Sequence, residues 1–597
     1  MVCALLVLPS ITDGSSSGVT VPWKIRESEV RGFTEMLEHA DRGNYATTYR
    51  VAKKLGKEYV VLTKWLRLHH SCVSQEEVDN FRAIHPEWPN PVAAHTKTSV
   101  TTSISEVKPK CGHLKKSEVF LNYSTLPRDA LISVADRLLW TKKIRSAEYI
   151  ANNLGEEKGL VTAARIGLRR NKKDSDSLAV AYMSSDFGLM YDYITWCIRN
   201  KQISEEILHL MSAMPKDRKY HRELWYLYKL YIGDIIYYKL SKFYEVAYAL
   251  ASDYATRIRG TRTLPEVHWL LGWIAFKCLK DYEAAHAHFS DFYDTAKMQE
   301  HRSKAAYWAA RSAEMLNDDD TSLEWFRLAA LHKTTFYGQL SLLQLGVDKI
   351  SLDNQGTRYS IIHYLHCKKN IFAKIGYMLS KVQRNDIADL FVQHAIRNTY
   401  SPEVAGMITE LTLSSGNTHS ALKGAERIES KLVLPESLYP RQHLAVHDHH
   451  QEIVLSIIRQ ESKFDKTARS GANAVGLMQL RPSTAMELAR DLQMEYRESD
   501  LLDPEYNITL GHHYLKKLLK AYDNSLVLAL AGYNAGPGNV NLWIKNLGDP
   551  RELKSSAELA VWIESVPFPE TRIYIQRVLA NLQVYNGMSG KLMTLGQ

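Results

Sequence analysis

The sequence feature that most constrains this fold is a helical recurrence of apolar residues that runs from Val21 to about Gly346. Apolar side chains recur at spacings of three and four, strand-like alternation is rare, and most breaks are short. Helices with one apolar face must pack on one another to bury it, so the sequence predicts a mainly all-α fold. Only Val92 to about Phe120, with its cluster of Thr and Ser, lacks the period, and we interpret it as a loop or insertion.

Part of this helical region repeats itself weakly between residues 269 and 327. A shift of about 37 positions superposes four pairs of similar residues: Ala275 and Ser312, Leu279 and Leu316, Asp281 and Asp318, and Phe289 and Phe326. Each unit is a helix, a tight polar turn and a second helix, the pattern of tetratricopeptide-like hairpins. A stacked α-superhelix is therefore expected.

Breaks in the pattern divide the chain into four predicted segments. Residues 1–20 hold a candidate signal segment that is degenerate or truncated, and residues 21–346 form the α-superhelical domain. A polar break from Val347 to Thr357 leads into a helical linker domain at 347–436. Pro435, Tyr439 and Pro440 then mark the entry into a last domain at 437–590, because proline interrupts helices.

The first residues resemble a secretory signal in part. An apolar run from Val2 to Ile11 precedes Asp13, Gly14 and three serines, but the positively charged leading region is missing. Either the true start lies upstream or the protein carries no signal. No later stretch has the roughly eighteen consecutive apolar residues of a membrane span, so the simplest interpretation is a soluble, exported protein.

The formal net charge of +9 comes from the first three quarters of the chain. From residue 451 onward sixteen Lys and Arg balance sixteen Asp and Glu, which leaves 59 basic against 50 acidic side chains in residues 1–450. This moderate excess favours approach to an anionic polymer or membrane surface, and no Arg-rich run supports a nucleic-acid partner. The six widely spaced cysteines show no metal-ligand spacing and fit isolated core thiols, with disulfide pairing left open.

In the last domain, one carboxylate ends an apolar helical stripe. Ile453 and Ile457 lie eight and four residues before Glu461, so a period of 3.6 residues brings all three onto one helix face. Burial against aliphatic side chains disfavours the charged form of a carboxyl group, which suits a general acid at neutral pH. The spacing alone fits equally well a glutamate at a fraying helix end that reaches water.

Three helix boundaries of this domain are marked by proline and glycine. Asp503 and Pro504 form a helix start, with Asp as the cap. An apolar helix from Leu526 to Tyr533 runs into Asn534-Ala535-Gly536-Pro537-Gly538, which must end it. Pro569 opens the final amphipathic helix.

Four short motifs occur in order over about 115 residues of this domain. They read RQES from Arg459, GLMQ from Gly476, GYNAGPG from Gly532 and ESVPFPETRIY from Glu564. Together they resemble the soluble lytic murein transglycosylases, most closely from about Leu438 to Gly587. The helical region before them resembles the superhelical region of that family more loosely.

The resemblance implies a lysozyme-like catalytic domain in which Glu461 is the single catalytic acid. The implied substrate is the β-1,4 bond between N-acetylmuramic acid and N-acetylglucosamine in peptidoglycan. Protonated Glu461 would donate to the leaving glycosidic oxygen. The ionised glutamate would then take a proton from the muramic 6-hydroxyl, whose oxygen closes a 1,6-anhydro ring with help from the N-acetyl group. We expect no metal and no organic cofactor.

The resemblance also assigns six substrate-binding positions: Ser470, Met478, Gln479, Tyr533, Asn534 and Glu570. Tyr533 is expected to hold the catalytic acid or the N-acetyl group through its hydroxyl. Packing is an alternative for Met478 and Asn534, and Gln479 also suits a hydrogen-bonded buried amide. Glu570 is favourable in the first turn of a helix for electrostatic reasons alone.

Two further charged residues lie near the motifs. Asp465, four residues after Glu461, is the candidate for a second carboxylate, but in its turn it is expected to hydrogen-bond to nearby backbone. Arg481 stands where the most similar family members carry a methionine. At the edge of a groove it would pair with a peptide carboxylate or alter the fit of the glycan.

Two other functions stay open. A hydrolytic muramidase on the same fold is disfavoured by the absence of a well-placed second carboxylate. A non-catalytic peptidoglycan-binding scaffold would use the superhelix to dock proteins of the cell-wall machinery, and the intact Glu461 argues against it.

Overall fold

The computed structural model describes residues 19–70, 73–91, 127–151, 154, 156–172, 175–182, 186–202, 204–214, 221–257, 264–352, 359–441, 444, 446 and 448–593. Within these ranges the regular structure is helical. Extended pairing is limited there to two isolated bridges, Arg469 with Val475 and Val475 with Leu480. The predicted all-α fold class is confirmed.

The helices are given in chain order in three groups. The first group is α1 Glu27–Asp41, α2 Tyr45–Leu55, α3 Lys57–His70, α4 Gln75–Ile84, α5 Arg128–Trp140, α6 Ile144–Ala151, α7 Glu156–Arg169, α8 Ser175–Tyr182, α9 Phe187–Arg199 and α10 Glu205–Ala213. The next is α11 His221–Tyr237, α12 Tyr244–Arg257, α13 Leu264–Trp273, α14 Tyr282–Thr295, α15 Gln299–Met315, α16 Asp319–Ala330, α17 Phe336–Gln344, α18 Ile361–Lys369, α19 Ile371–Lys381 and α20 Asn385–Arg397. The last is α21 Pro402–Ser414, α22 Thr418–Ile428, α23 Pro435–Leu438, α24 Gln451–Glu461, α25 Pro482–Asp491, α26 Pro504–Ala521, α27 Leu526–Ala535, α28 Pro537–Leu547, α29 Ser556–Ser565 and α30 Pro569–Met588. Turns of 3₁₀ type lie at Ser241–Phe243, Glu498–Leu502 and Pro550–Glu552, and a π-helical turn at Ile274–Leu279 continues α13.

The predicted helix boundaries of the last domain are confirmed. The Asp503 carboxylate accepts a hydrogen bond from the Tyr506 backbone N–H at 2.8 Å, and Pro504 is the first residue of α26. Helix α27 ends before Gly536, whose φ of 83° is a conformation that glycine adopts without strain. Pro537 then begins α28 directly, because a first helical position needs no N–H donor.

The chain divides into two compact units that are discontinuous in sequence. The first unit comprises residues 1–111, 349–533 and 577–594, and the second comprises 112–348, 534–576 and 595–597. One boundary between the units falls between Asp348 and Lys349, two residues after the predicted domain boundary at 346/347. The order of domains at 1–20, 21–346, 347–436 and 437–590 stays a prediction.

The first unit has a core in which helices from distant parts of the sequence meet. Trp65 of α3 is fully buried, and its ring edge packs on Phe391 of α20 at 4.9 Å between ring centroids. Its indole N–H donates to the carbonyl of Pro89 at 2.7 Å. The His85-Pro86-Glu87-Trp88-Pro89 segment thus does more than end α4, because it satisfies a buried indole.

The second unit contains the predicted repeat. Asp281 caps α14 by accepting from the Ala284 N–H at 3.0 Å, and Asp318 caps α16 by accepting from the Thr321 N–H at 3.1 Å. The residues before the caps, Lys280 and Asn317, both have a φ of 59°. Phe289 and Phe326 are buried on the second helices. The two hairpins therefore repeat in cap, turn and core, which confirms the sequence comparison.

Three further observations concern burial and export. Phe336 and Tyr337 at the start of α17 are core residues, and Cys197, Cys278 and Cys367 are free thiols. In the described part of the chain, no helix is both long and apolar enough to cross a bilayer. The candidate signal, apart from its last two residues, and the Val92–Phe120 insertion lie outside the described residues.

Candidate active site

Helix α24 carries the candidate catalytic acid as its last residue. Its inward residues from Ile453 to Ile458 are buried, and Ile457 and Ile458 have no exposed surface. Glu461 itself is half-buried. The apolar stripe that ends in a carboxylate is confirmed, and the side chain is neither a core residue nor one extended into water. Its catalytic role stays a prediction.

Arg459 fixes the end of this helix. Its guanidinium donates to the carbonyl of Leu438 at 2.8 Å and to the side-chain oxygen of Asn581 at 2.9 Å. The same group lies over the ring of Tyr439, 4.4 Å from the ring centroid. Because a guanidinium offers several donors in a rigid plane, one side chain can hold the last turn of α24 in place. The motif included Arg459, but the sequence did not indicate this role.

The turn after α24 accounts for the second carboxylate. Asp465 accepts hydrogen bonds from the backbone N–H of Thr467 at 2.9 Å and from the Thr467 hydroxyl at 2.7 Å. The expectation that Asp465 stabilises its own turn is confirmed. A carboxylate engaged in this way does not suit the role of a second catalytic group.

The loop from Ser470 to Leu480 is held by a buried asparagine. Asn507 accepts from the backbone N–H of Met478 at 2.8 Å and donates to the carbonyls of Val475 and Leu501 at 3.0 Å each. Gly476 has a φ of 83°, and a Cβ there would overlap the Asn507 amide. The sequence analysis missed Asn507. An asparagine among the apolar positions of α26 is the signal that would have indicated it, and in the structure its amide is fully buried.

Three predicted binding residues lie in this loop and differ in exposure. Ser470 is exposed, and its hydroxyl accepts from the N–H groups of Ala472 and Ala474 at 3.2 and 3.0 Å. Met478 is fully buried, so its side chain packs in the core. Gln479 is half-buried, and its amide donates to the carbonyls of Ala468 and Gly476 at 3.1 and 2.8 Å. The packing alternative for Met478 describes its side chain correctly.

Tyr533 connects this loop to Glu461. The Tyr533 hydroxyl donates to the carbonyl of Met478 at 2.9 Å, and its ring packs on Tyr514 with centroids 5.2 Å apart. Burial, followed by the negative charge of Glu461, holds the pKa of Tyr533 well above its usual value. The tyrosine and the glutamate are therefore close enough to interact electrostatically.

The remaining two predicted residues belong to the second unit. Asn534 is half-buried and accepts a hydrogen bond from the hydroxyl of Thr571 at 2.7 Å. Glu570 is exposed in the first turn of α30. Both positions agree with the structural alternatives considered for them, and their contact with substrate stays a prediction.

A buried ion pair lies at the end of α29, in the second unit. Glu564 has only 1% of its side chain exposed and lies 2.7 Å from the ammonium of Lys304. It accepts from the hydroxyl of Tyr337 and from the amide of Gln576, the latter at 2.8 Å. Burial alone would raise the pKa of Glu564, but the charges of Lys304 and Arg572 outweigh it and lower the pKa. The carboxylate is thus held in its ionised form.

The described residues contain two groups with the donor atoms for a metal ion. One comprises Asp448, His450 and His512, and the other comprises His268, His288 and Asp291. His450 directly precedes the first residue of α24, whereas Glu461 is its last residue. Neither group includes a predicted site residue.

Fold and site define the class of protein: an α-helical repeat protein with a lysozyme-like, α-rich domain that holds a glutamate at the end of a buried helix. Two solved structures share this fold. An inactive variant of lytic transglycosylase Slt from Pseudomonas aeruginosa matches with a TM-score of 0.61 and 21% identity over 97% of this chain and 88% of that chain. The 70 kDa soluble lytic transglycosylase from Escherichia coli matches with a TM-score of 0.51 and 15% identity over 96% and 98%.

A similarity in sequence lies in the C-terminal part. Residues 439–555 match the family described as Transglycosylase SLT domain. The soluble lytic murein transglycosylase of Salmonella typhimurium is 36% identical over 143 residues, 24% of this chain and 21% of the relative. That of Escherichia coli K12 is 35% identical over 147 residues, 24% of this chain and 22% of the relative. The matches thus span about a fifth of these relatives, and the resemblance indicated by the four motifs is confirmed.

Proposed function

We propose that this protein is a lytic transglycosylase that cleaves the β-1,4 bond between N-acetylmuramic acid and N-acetylglucosamine in peptidoglycan. The observation that supports this most is the position of Glu461. It ends a helix whose inward face is buried, and Arg459 anchors that helix end to Leu438 and Asn581. A half-buried carboxyl beside apolar side chains is suited to donate a proton at neutral pH.

The proposed reaction has two proton transfers through Glu461. The protonated carboxyl donates to the glycosidic oxygen as the bond to the anomeric carbon breaks, and positive charge develops at that carbon. The N-acetyl group of the muramic residue stabilises that carbon from the other face. The carboxylate then accepts the proton of the muramic 6-hydroxyl while its oxygen bonds to the anomeric carbon. Water is neither consumed nor released, and the acid is restored.

Tyr533 and Met478 act together in this proposal. The hydroxyl of Tyr533 donates to the Met478 carbonyl, so the tyrosine is held in one orientation near Glu461. Met478 contributes its backbone to this contact and its side chain to the core. Ser470, Gln479 and the second-unit residues Asn534 and Glu570 are proposed to bind the glycan or its peptide, as the family resemblance implies.

The products of peptidoglycan digestion test the reaction. Purified protein is incubated with isolated peptidoglycan, and the muropeptides are separated and weighed. We expect terminal muramic residues that are lighter by one water than hydrolysed ends, the mark of the 1,6-anhydro ring. Hydrated muramic ends would contradict the proposal and support a hydrolytic muramidase. Peptidoglycan that stays undigested would also contradict it and support a non-catalytic binding scaffold.

Peptidoglycan as substrate also implies a location and partners. We propose that the protein acts in the periplasm, where the basic excess in residues 1–450 would favour approach to an anionic polymer. We also propose that its helical repeats bind proteins of the cell-wall machinery. Fractionation of cells against a periplasmic and a cytoplasmic marker tests the location. Recovery with the cytoplasmic marker would contradict it.

A further inference from the structure

Two histidines and an aspartate meet in one helical hairpin of the second unit. His268 lies on α13, and His288 and Asp291 lie three residues apart on α14, which places them on one face of that helix. One donor atom from each residue lies within 4.8 Å of the other two. The His268 Nδ1 atom is 3.5 Å from a carboxylate oxygen of Asp291. The three donor atoms are therefore close enough to one another to share one metal ion.

One ring nitrogen of each of the two histidines lacks a hydrogen-bond partner. Both the Nδ1 atom of His268 and the Nδ1 atom of His288 are shielded from solvent and have no partner. Buried polar atoms are nearly always paired, because leaving one unpaired costs about 1–3 kcal/mol. Asp291 keeps 60% of its side chain exposed. A cation could thus reach the group from the side of Asp291.

A tyrosine hydroxyl contacts the other ring nitrogen of His288. The Tyr248 hydroxyl on α12 lies 2.8 Å from the Nε2 atom of His288. Histidines that bind metals almost always have their second nitrogen hydrogen-bonded, which fixes the tautomer and the orientation of the ring. The rings of His268 and His288 are 6.0 Å apart between centroids. The arrangement has both a set of ligands and a group that orients one of them.

The other donor group in the described residues is explained without a metal. The carboxylate of Asp448 is 3.1 Å from the Nε2 atom of His512 and 3.0 Å from the Nδ1 atom of His450. The ammonium of Lys516 lies 3.8 Å from the same carboxylate and would repel a cation. These contacts pair the donor atoms with one another.

We propose that His268, His288 and Asp291 form a binding site for a divalent transition metal of the zinc type. Two imidazoles and one carboxylate suit Zn²⁺ and its neighbours in the first row, whereas Ca²⁺ and Mg²⁺ prefer oxygen ligands. Three protein ligands leave room for water in the coordination sphere. The ion would link α13 to α14 and so stabilise the hairpin, independently of any reaction at Glu461. The cysteine spacing that indicated no metal site could not reveal this one, because its ligands are histidines twenty residues apart.

Titration of Zn²⁺ into the full-length protein, freed of metal by a chelator, tests the site. We expect one ion bound per chain by calorimetry and a higher unfolding temperature with Zn²⁺. Asp291→Asn and His288→Ala should abolish both effects, and Tyr248→Phe should weaken binding about 10- to 100-fold. Asp294→Asn is the matched control, because it removes the same charge from an exposed position on the same helix and should bind as the wild type does.

Circular dichroism shows whether each variant is folded. If His288→Ala is not folded, Asp291→Asn decides the result, because Asp291 is exposed. Unchanged Zn²⁺ binding by Asp291→Asn would overturn the proposal. So would binding that is lost in His512→Ala but kept in His288→Ala, since the ion would then occupy the other group. An absence of binding by the wild type would also overturn it.

Discussion

Glu461 and Glu564 both lie at the ends of helices, but their surroundings differ. Glu564 of the second unit is buried beside Lys304 and hydrogen-bonded by Tyr337 and Gln576, and its pKa is lowered. Glu461 of the first unit is half-buried at the end of a stripe of isoleucine and valine, and its charge contributes to the raised pKa of Tyr533. One carboxylate is held as an anion by its neighbours, whereas the other is the one for which we propose proton transfer.

The comparison shows that the residue type and its place on a helix do not decide what a carboxylate does. A cation at 2.7 Å makes the anion the stable form in a buried site and gives the side chain a structural role. Glu461 instead ends an apolar stripe, which is the arrangement on which the proposed catalytic role rests. Both glutamates belong to the four motifs, yet we propose catalysis for one and stabilisation for the other.

The largest expected effect is on cleavage. Replacing Glu461 with Gln removes the transferable proton, and we expect the rate of peptidoglycan solubilisation to fall by at least about 10²- to 10⁴-fold. The unfolding temperature should stay close to that of the wild type, because the amide has the same shape. Glu452→Gln on the same helix is the control and should keep full activity. Wild-type activity in Glu461→Gln would mean that another group is the acid.

The second largest effect is on stability. Glu564→Gln leaves the buried Lys304 ammonium without its counter-charge, and we expect the free energy of unfolding to fall by about 3–5 kcal/mol. Urea denaturation followed by circular dichroism measures it. The double variant Lys304→Met/Glu564→Gln has no buried charge left from this pair. Most of the lost free energy of unfolding should therefore be recovered in it. Equal stabilities of the wild type and Glu564→Gln would contradict the structural role.

A smaller effect is expected in the loop beside Glu461. Gly476→Ala forces a side chain into a φ of 83° and against Asn507, which should cost about 1–3 kcal/mol of stability. Activity should fall as well, since this loop carries the carbonyl that holds Tyr533. Gly471→Ala in the same loop is the control, because a Cβ there meets nothing within 4 Å. The same thermal unfolding temperature for both variants would show that Gly476 is not constrained.

The smallest effect is a change of stability with pH. A carboxyl whose pKa is lowered in the folded state stabilises the fold fully above its ordinary pKa of about 4.3, and the contribution is lost as the pH falls through the lowered value. Wild type and Glu564→Gln should therefore differ most at neutral pH, and the difference between them should narrow in acid. Urea midpoints from pH 7 to pH 3 measure this, and a constant difference would contradict the lowered pKa of Glu564.

Local sequence determined much of this protein. The helical period, the Asp-Pro start of α26, the proline and glycine between α27 and α28, and the paired caps at Asp281 and Asp318 depend on interactions within a few residues, and the structure agrees with each of them. The stripe that ends in Glu461 and the turn held by Asp465 are equally local. Periodicity and capping act between near neighbours in the sequence, so they can be predicted without the fold.

The tertiary structure decided which partners these residues have. Asn507 holds a loop about thirty residues away, Glu564 pairs with Lys304 across 260 positions, and His268 meets His288 by the packing of two helices. A sequence gives the residue types but not which distant side chains share a buried space, and it is burial beside a particular partner that sets charge and hydrogen bonding. For that reason the motif identified Glu461 as the candidate acid, whereas the ion pair of Glu564 and the histidine pair were found only in the folded chain.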